Sequence, residues 1–318
     1  MTSDMRNVVF IHTNPKQMLG AMVARHALIR HSAAPERFDV RILNTADFPA
    51  LAGFEGRSYL REGRQVVWRN DDSQSFTPLR FAAPEQMGYV GRAVMTDPDV
   101  FALADINELF ERDMGGAAVM ARPVSGDGRS QSDYASSVML MDCARLKHWA
   151  WEADFEKVFL GNYDYRDWMW LRLEPPGSVA PLEPQWNDFD RLQGETKMLH
   201  NTQRRTQPWK TGLPADFTLR GLTLRKRIGA SVRRARAALT GTHPTGYYEP
   251  HPDPAQEQLF FRLLGECLEE GSISESLLRS EIDSQNLRAD ALEKACAAMK
   301  GSARAHGPGV TALTERAS

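Results

Sequence analysis

The chain has 318 residues, of which 42% are hydrophobic and 25% charged, with a formal net charge of −2. That balance is ordinary for a soluble globular protein, and the length fits one large domain or a domain with an appendage. No window approaches eighteen apolar residues, which excludes a membrane-spanning helix. Cys143, Cys267 and Cys296 lack metal-ligand spacing and point to a reducing compartment. The opening residues lack the long apolar core of a signal peptide, so the cytoplasm is the expected location.

In chain order, residues 7–13 form an apolar run that reads as a buried strand. Asn14 and Pro15 supply an N-cap and a proline at the first helical position. Met18, Met22, Leu28 and Ile29 then mark the apolar side of a helix ending near residue 31. Residues 38–43 alternate strictly and give the next strand, so strand, helix and strand form a βαβ unit that demands a parallel sheet. Residues 44–75 are irregular apart from a strand-like run at 66–68. No Gly-x-Gly-x-x-Gly or phosphate-loop pattern is present, which argues against dinucleotide and ATP-type sites.

Residues 92–110 read as a buried strand, an acidic turn and a helix. Val94 and Met95 run into Asp97-Pro98-Asp99, residues 100–103 continue apolar, and Asp105 and Glu108 have capping-box spacing ahead of Leu109 and Phe110. Two carboxylates one residue apart at a strand end make a hard oxygen site for Mg²⁺ or Mn²⁺, on the sheet edge where open α/β sheets bind ligands. The same spacing also occurs in ordinary solvated turns. Asp105 is assigned to capping, Asp97 and Asp99 to chemistry.

Further strands are expected at 117–121 and 136–142, with a polar, glycine-bearing loop at 125–132 that could border a site. Phe155, Phe159, Tyr163, Tyr165, Trp168 and Trp170 cluster within 154–173, and such a cluster reads as core before it reads as a sugar platform. Residues 174–184 are proline-rich and not helical. From Phe217 to Tyr248 there is no acidic residue, while Arg220, Arg225, Lys226, Arg227, Arg233, Arg234 and Arg236 accompany an apolar stripe of Ile228, Val232, Ala235 and Leu239. An anionic membrane surface and a solvated helix packed on the domain both fit this segment. Nucleic acid fits less well, because the aromatic interleaving of a single-strand binder is missing. Asp253-Pro254 with Gln256 opens a helix carrying Leu259, Phe260, Leu263, Leu264, Cys267 and Leu268 on one face; further helices start near Ser272 and at 289–299, and 301–318 reads as a frayed tail. The expected organisation is therefore a domain over 1–215, a basic and helical extension over 216–300, and that tail.

The run from Asp97 to Ile106 resembles the Asp-x-Asp segment of family 8 retaining glycosyltransferases, in which a second Asp-Ile opens a helix downstream. Arg80, seventeen residues ahead of Asp97, is similar to an arginine of that family that contacts the sugar nucleotide; His200 with Pro208-Trp209 is similar to its closing motif. The resemblance spans about residues 6–212 and implies a GT-A fold: a mixed, mainly parallel sheet flanked by helices, with a helical C-terminal extension. It implies transfer of a hexose, with retention, from a nucleotide-diphosphate sugar, UDP-linked, to a saccharide or lipid-linked saccharide. It places Mn²⁺ or Mg²⁺ on Asp97, Asp99 and His200, the donor against Thr13, Asn14, Arg80, Asp97 and one or more of Arg204, Arg205 and Lys210, and Asp167 beside the transferred sugar. Each of these has a plainer reading: Asn14 as an N-cap, Arg80 as a surface arginine, His200 as a structural histidine. Four positions depart from the family pattern: Ala135 replaces its usual Asn, Ser137 its Gly, Trp168 its Gln and Gln207 its Lys. Two other functions stay open, a sugar-1-phosphate nucleotidyltransferase, although its Gly-rich basic loop is missing, and a non-catalytic nucleotide-sugar-binding relative. The expected partners are the donor, the acceptor and an anionic membrane surface, without nucleic acid, and the expected location is cytoplasmic or peripheral on the inner face of the plasma membrane.

Overall fold

The computed structural model describes residues 7–124, 133–216 and 246–305; the loop 125–132, the basic segment 217–245 and the tail from 306 onward lie outside the described residues. The strands are β1 (Asn7–Thr13), β2 (Phe38–Asn44), β3 (Ser58–Arg61), β4 (Arg64–Val67), β5 (Arg92–Thr96), β6 (Val100–Ala102), β7 (Val119–Pro123), β8 (Tyr134–Asp142), β9 (Val179–Pro181), β10 (Asp188–Phe189) and β11 (Met198–His200). Six of them form a sheet in the order β2-β1-β5-β8-β7-β9. β8 alone runs against its neighbours, and the pairs β1–β2, β1–β5 and β7–β9 are parallel. The mixed, mainly parallel sheet with flanking helices is the architecture expected from the sequence.

Successive residues of a strand point to opposite faces, and the three central strands follow this period on both sides. Val9, Ile11, Val94, Val138 and Leu140 enter one core; Phe10, Met95, Met139 and Met141 enter the other. The first core is covered by the helix Met18–Arg30 and, across it, by the helix Pro254–Glu269. Trp209 stacks on Phe260 with ring centroids 4.7 Å apart, and Phe101 of β6 meets both rings edge-on. Helices after residue 246 therefore share a core with the sheet. The second core takes the aromatic segment: Phe155, Tyr165 and Trp168 are buried there, and Trp168 stacks on Phe81 at 4.4 Å.

Several local expectations shift. Asn14 does not cap a helix with its side chain; its amide nitrogen donates to Asp72 O and Ser75 Oγ, and a 3-10 turn, Pro15–Gln17, precedes the helix. A strand, β6, separates the acidic turn from the helix Asn107–Phe110 because Val100–Ala102 pairs antiparallel with Met198–His200, a partner almost a hundred residues away. Ile106 is the N-cap of that helix, with Asp105 just before it accepting from Asn107 N at 2.9 Å, and Glu108 pairs with Lys197 instead of completing a capping box. β9 forms inside the proline-rich connector, at the edge of the sheet where proline costs no ladder hydrogen bond. Asp253 and Ser274 cap their helices as N-cap residues should. Among the described residues no helix is long and apolar enough to cross a membrane.

The acidic turn is pressed against the first helix. A Cβ on Gly20 would lie 2.7 Å from the carbonyl oxygen of Pro98, a backbone atom that cannot swing aside. Helix propensity favours Ala over Gly by about 1 kcal/mol, whereas forcing extra volume into a tight contact costs about 1–3 kcal/mol. Gly20→Ala is therefore expected to lower stability, by roughly 1 kcal/mol net, measured as a lower denaturant midpoint at unchanged slope. A raised midpoint would mean that helix and turn separate freely.

Candidate functional site

β5 ends at Thr96, and the chain then turns through Asp97, Pro98 and Asp99 before β6 begins. The turn is fastened from several sides. Asp97 N donates to Ser137 O at 3.0 Å, and Asp99 O accepts from Asn201 N at 3.1 Å. Pairing of β6 with β11 sets His200 opposite Val100, so a histidine from a distant segment arrives over the carboxylates.

The Asp97 carboxylate is almost fully engaged. Its Oδ1 accepts from His12 Nε2 at 2.7 Å and Arg80 Nε at 3.0 Å, and its Oδ2 accepts from Arg80 Nη2. Arg80 also donates from Nη1 to Ser136 Oγ at 3.1 Å. Burial opposes ionisation of Asp97, but Arg80, His12 and His200 together hold its carboxyl well below the usual carboxylate range. His12 is itself buried, with Nδ1 3.1 Å from Phe76 O, so both ring nitrogens face oxygen acceptors. Asp99 is less committed. Its Oδ2 accepts from Gln207 Nε2 at 3.3 Å, while its buried Oδ1 makes no hydrogen bond although His200 Nε2 stands 3.4 Å away.

These residues fit a divalent cation. One ligand atom from each of Asp97, Asp99 and His200 lies within 4.8 Å of the other two, with His200 Nε2 3.9 Å from Asp97 Oδ2 and 3.4 Å from Asp99 Oδ1. An octahedral ion with bonds of about 2.1 Å sets neighbouring ligand atoms about 3.0 Å apart and opposite ones about 4.2 Å apart, so the three atoms need to move little to share it. His200 has its pKa raised: burial alone disfavours its imidazolium, but the carboxylates of Asp99 and then Asp97 outweigh burial. A proton held there occupies the position a cation would take.

The turn forms part of the wall of a cavity of about 290 Å³. Of the residues expected from the sequence, Arg80, Asp97, Asp99, His200 and Arg204 line it. Thr13 and Asn14 are buried at the end of β1 and do not reach the wall. Lys210 is enclosed at 0% exposure, donating to Asp216 Oδ2 at 2.7 Å, and Tyr248 donates to the other oxygen of that carboxylate. Arg205 lies beside Glu249 at 3.4 Å. Asp167 is held by Arg172, Nη1 to Oδ1 2.7 Å, and is likewise off the wall, because Tyr165, Trp168 and Met169 turn the inner side of their short helix to the core.

The structure gives further residues contacts at the site that the sequence did not specify. His12, next to the Thr13-Asn14 turn, supports Asp97; its position at a strand end was the available signal. Gln17 lines the cavity with its Oε1 buried and unpartnered. Gln207 carries an amide to Asp99, and the half-buried Trp170 forms another part of the wall.

The two carboxylates thus differ in what they hold. Replacing Asp97 by Asn leaves the Arg80 guanidinium, 13% exposed, without its counter-charge, which costs on the order of 3 kcal/mol. Replacing Asp99 by Asn loses only its looser pairing with His200, 3.4 Å from Oδ1, and is expected to cost less than the Asp97 change. Chemical denaturation of the two variants in chelator should show this contrast; equal losses would refute the asymmetry.

No family model matches the chain. It is 26% identical over 212 residues to Protein CDI of Arabidopsis thaliana, a match covering 63% of this chain and 74% of that protein. Among solved structures it is similar to the glycosyltransferase GlyE of Streptococcus pneumoniae TIGR4, at 13% identity and a TM-score of 0.47, over 81% of this chain and 83% of that one. It is also similar to the galactosyltransferase LgtC in complex with donor and acceptor sugar analogues, at 13% identity and a TM-score of 0.44, over 64% of this chain and 89% of that one.

Proposed function

We propose that the chain is a metal-dependent glycosyltransferase of GT-A type, similar to family 8, that moves a hexose with retention from a UDP-sugar to a saccharide or lipid-linked saccharide. The observation that carries this reading is the meeting of Asp97, Asp99 and His200, drawn from separate blocks of the sequence, at the wall of one cavity. When bound, Mn²⁺ or Mg²⁺ would act as a Lewis acid on the diphosphate as the sugar leaves. Asp97, Asp99 and His200 would hold the ion. Arg204, on the cavity wall, would meet the departing diphosphate, an electrostatic role for which Arg205 and Lys210 are placed less directly. Arg80 acts through Asp97, keeping it ionised and in place. The end of β1 at Thr13 and Asn14 would meet the base, and Asp167, once released from Arg172, would orient the sugar.

A second reading, a nucleotide-sugar-binding protein without transfer activity, is favoured by Trp168. Where the family carries an amide, this chain has a ring stacked into the core.

Calorimetry with UDP, with and without Mn²⁺, followed by a donor-hydrolysis assay, tests both. UDP is expected to bind only with the cation, and Asp99→Asn should weaken that cation-dependent binding; full affinity in chelator would sink the metal-dependent reading. Binding without hydrolysis or transfer would select the second. A proton competes with the cation for His200 Nε2, whose pKa the neighbouring carboxylates raise, so affinity should fall as pH drops through a midpoint above the ordinary histidine range, and His200→Ala should flatten that slope.

For the basic segment we propose reversible attachment to an anionic membrane surface near a lipid-linked acceptor, with the protein otherwise cytoplasmic. Its support is the sequence alone: seven cations without an acid, each contributing about 1 kcal/mol near such a surface. Co-sedimentation with anionic liposomes is expected at low salt and should be lost at high salt, where screening shortens the attraction. Equal binding to neutral liposomes, or none to either, would return the segment to a packing role.

A further inference from the structure

His200 is fastened on the side away from the carboxylates as well. Its Nδ1 lies 2.8 Å from Asn187 Oδ1, and Asn187, at 0% exposure, donates from Nδ2 to Ser137 Oγ at 2.9 Å. Asn187 ends the 3-10 turn Pro184–Asn187, and β10 begins at the next residue and pairs with β11, with Phe189 in register with His200. Arg122 donates to the Asn187 backbone carbonyl, and Trp186 is buried in the core beside it. The amide is therefore fixed in reach and direction by backbone it does not control.

We propose that Asn187 is a positioning residue that keeps the hydrogen of His200 on Nδ1, so that Nε2 presents its lone pair to a cation shared with Asp97 and Asp99. This rests on the metal-dependent reading of the site. An amide whose nitrogen donates to a hydroxyl offers the imidazole its oxygen, and an oxygen can only accept. The proton is thereby drawn to Nδ1, and the coordinating nitrogen is selected before any ion arrives. Ser137 sets the amide orientation, and it is a position where the resembled family has glycine. In this chain adjacent residues of β8 brace both sides of the ion position: Ser136 accepts from the Arg80 that holds Asp97, and Ser137 accepts from the Asn187 that holds His200.

The test uses the full chain and Mn²⁺ alone, titrated by calorimetry. Asn187→Leu, of similar size but without an acceptor, is expected to weaken Mn²⁺ binding about 10- to 100-fold, the range for losing a partner of a metal-bound histidine. Asn187→Asp, which restores the acceptor, should recover most of it. Should Asn187→Leu fail to fold, Ser137→Ala removes only the group that orients the amide and should weaken binding about two- to tenfold. In Mg²⁺-loaded protein, ¹⁵N shifts of His200 should show hydrogen on Nδ1 in the wild type and lose that single tautomer in the variants. Mn²⁺ binding by the wild type that Asn187→Leu or Ser137→Ala leaves unchanged overturns the positioning role alone. No Mn²⁺ binding by the wild type overturns that role together with the metal-dependent reading.

Discussion

The site depends on one buried carboxylate. Asp97 draws His12 from β1, Arg80 from the turn Thr77–Phe81 and the Ser137 carbonyl from β8 onto a single residue. A buried charge is tolerated only when paired and hydrogen-bonded, and here the pairing joins elements that the sheet already holds side by side. The acidic turn is thus set before any ligand arrives, and Asp99, two residues on, inherits its position while keeping one oxygen unspent. One carboxylate is spent on anchoring the turn and the other keeps an oxygen without a hydrogen bond, a distinction that a bare Asp-x-Asp spacing cannot carry.

Much of the fold was legible because it is written in local period. The alternation through β1, β5 and β8 separates two cores residue by residue, and the N-cap at Asp253 acts where the sequence places it, whereas the next helix is capped by Ser274, two residues past the expected Ser272. The approach of Asp97, Asp99 and His200 was legible only through the resemblance, since nothing local says that 198–200 will pair with 100–102. Lys210 shows what such pairings hide. In the sequence it is a cation beside Pro208-Trp209, available for a phosphate. In the fold, Pro214 bridges Tyr247, and Lys210 is closed in with Asp216 and Tyr248. Burial lowers its pKa, with Asp216 opposing that shift. Tyr165, Trp168 and Met169 stand at i, i+3 and i+4, a spacing that turns residue 167 away from the core, where Arg172 holds it.

The Pro208-Trp209 pair has a physical role apart from ligand contact. Trp209 lies between Phe101, just past the acidic turn, and Phe260 of the helix Pro254–Glu269. Arg288 donates to Pro208 O and to Glu257, joining the same helix to the loop that follows His200. On the other side of that helix, Glu266 accepts from His26 and Arg30 of the helix Met18–Arg30, the one whose Gly20 touches Pro98. The C-terminal helices therefore close a ring of contacts around the turn and do not hang from it.

That ring bears on the basic segment. Residues on either side of 217–245 are pinned together: Ala215 N donates to Gly246 O, and Leu213 and Tyr248 are joined through Tyr248 N. Tyr248 also lines the cavity. The flanks are held as well by the buried Lys210–Asp216 pair and by the bridge between Pro214 and Tyr247.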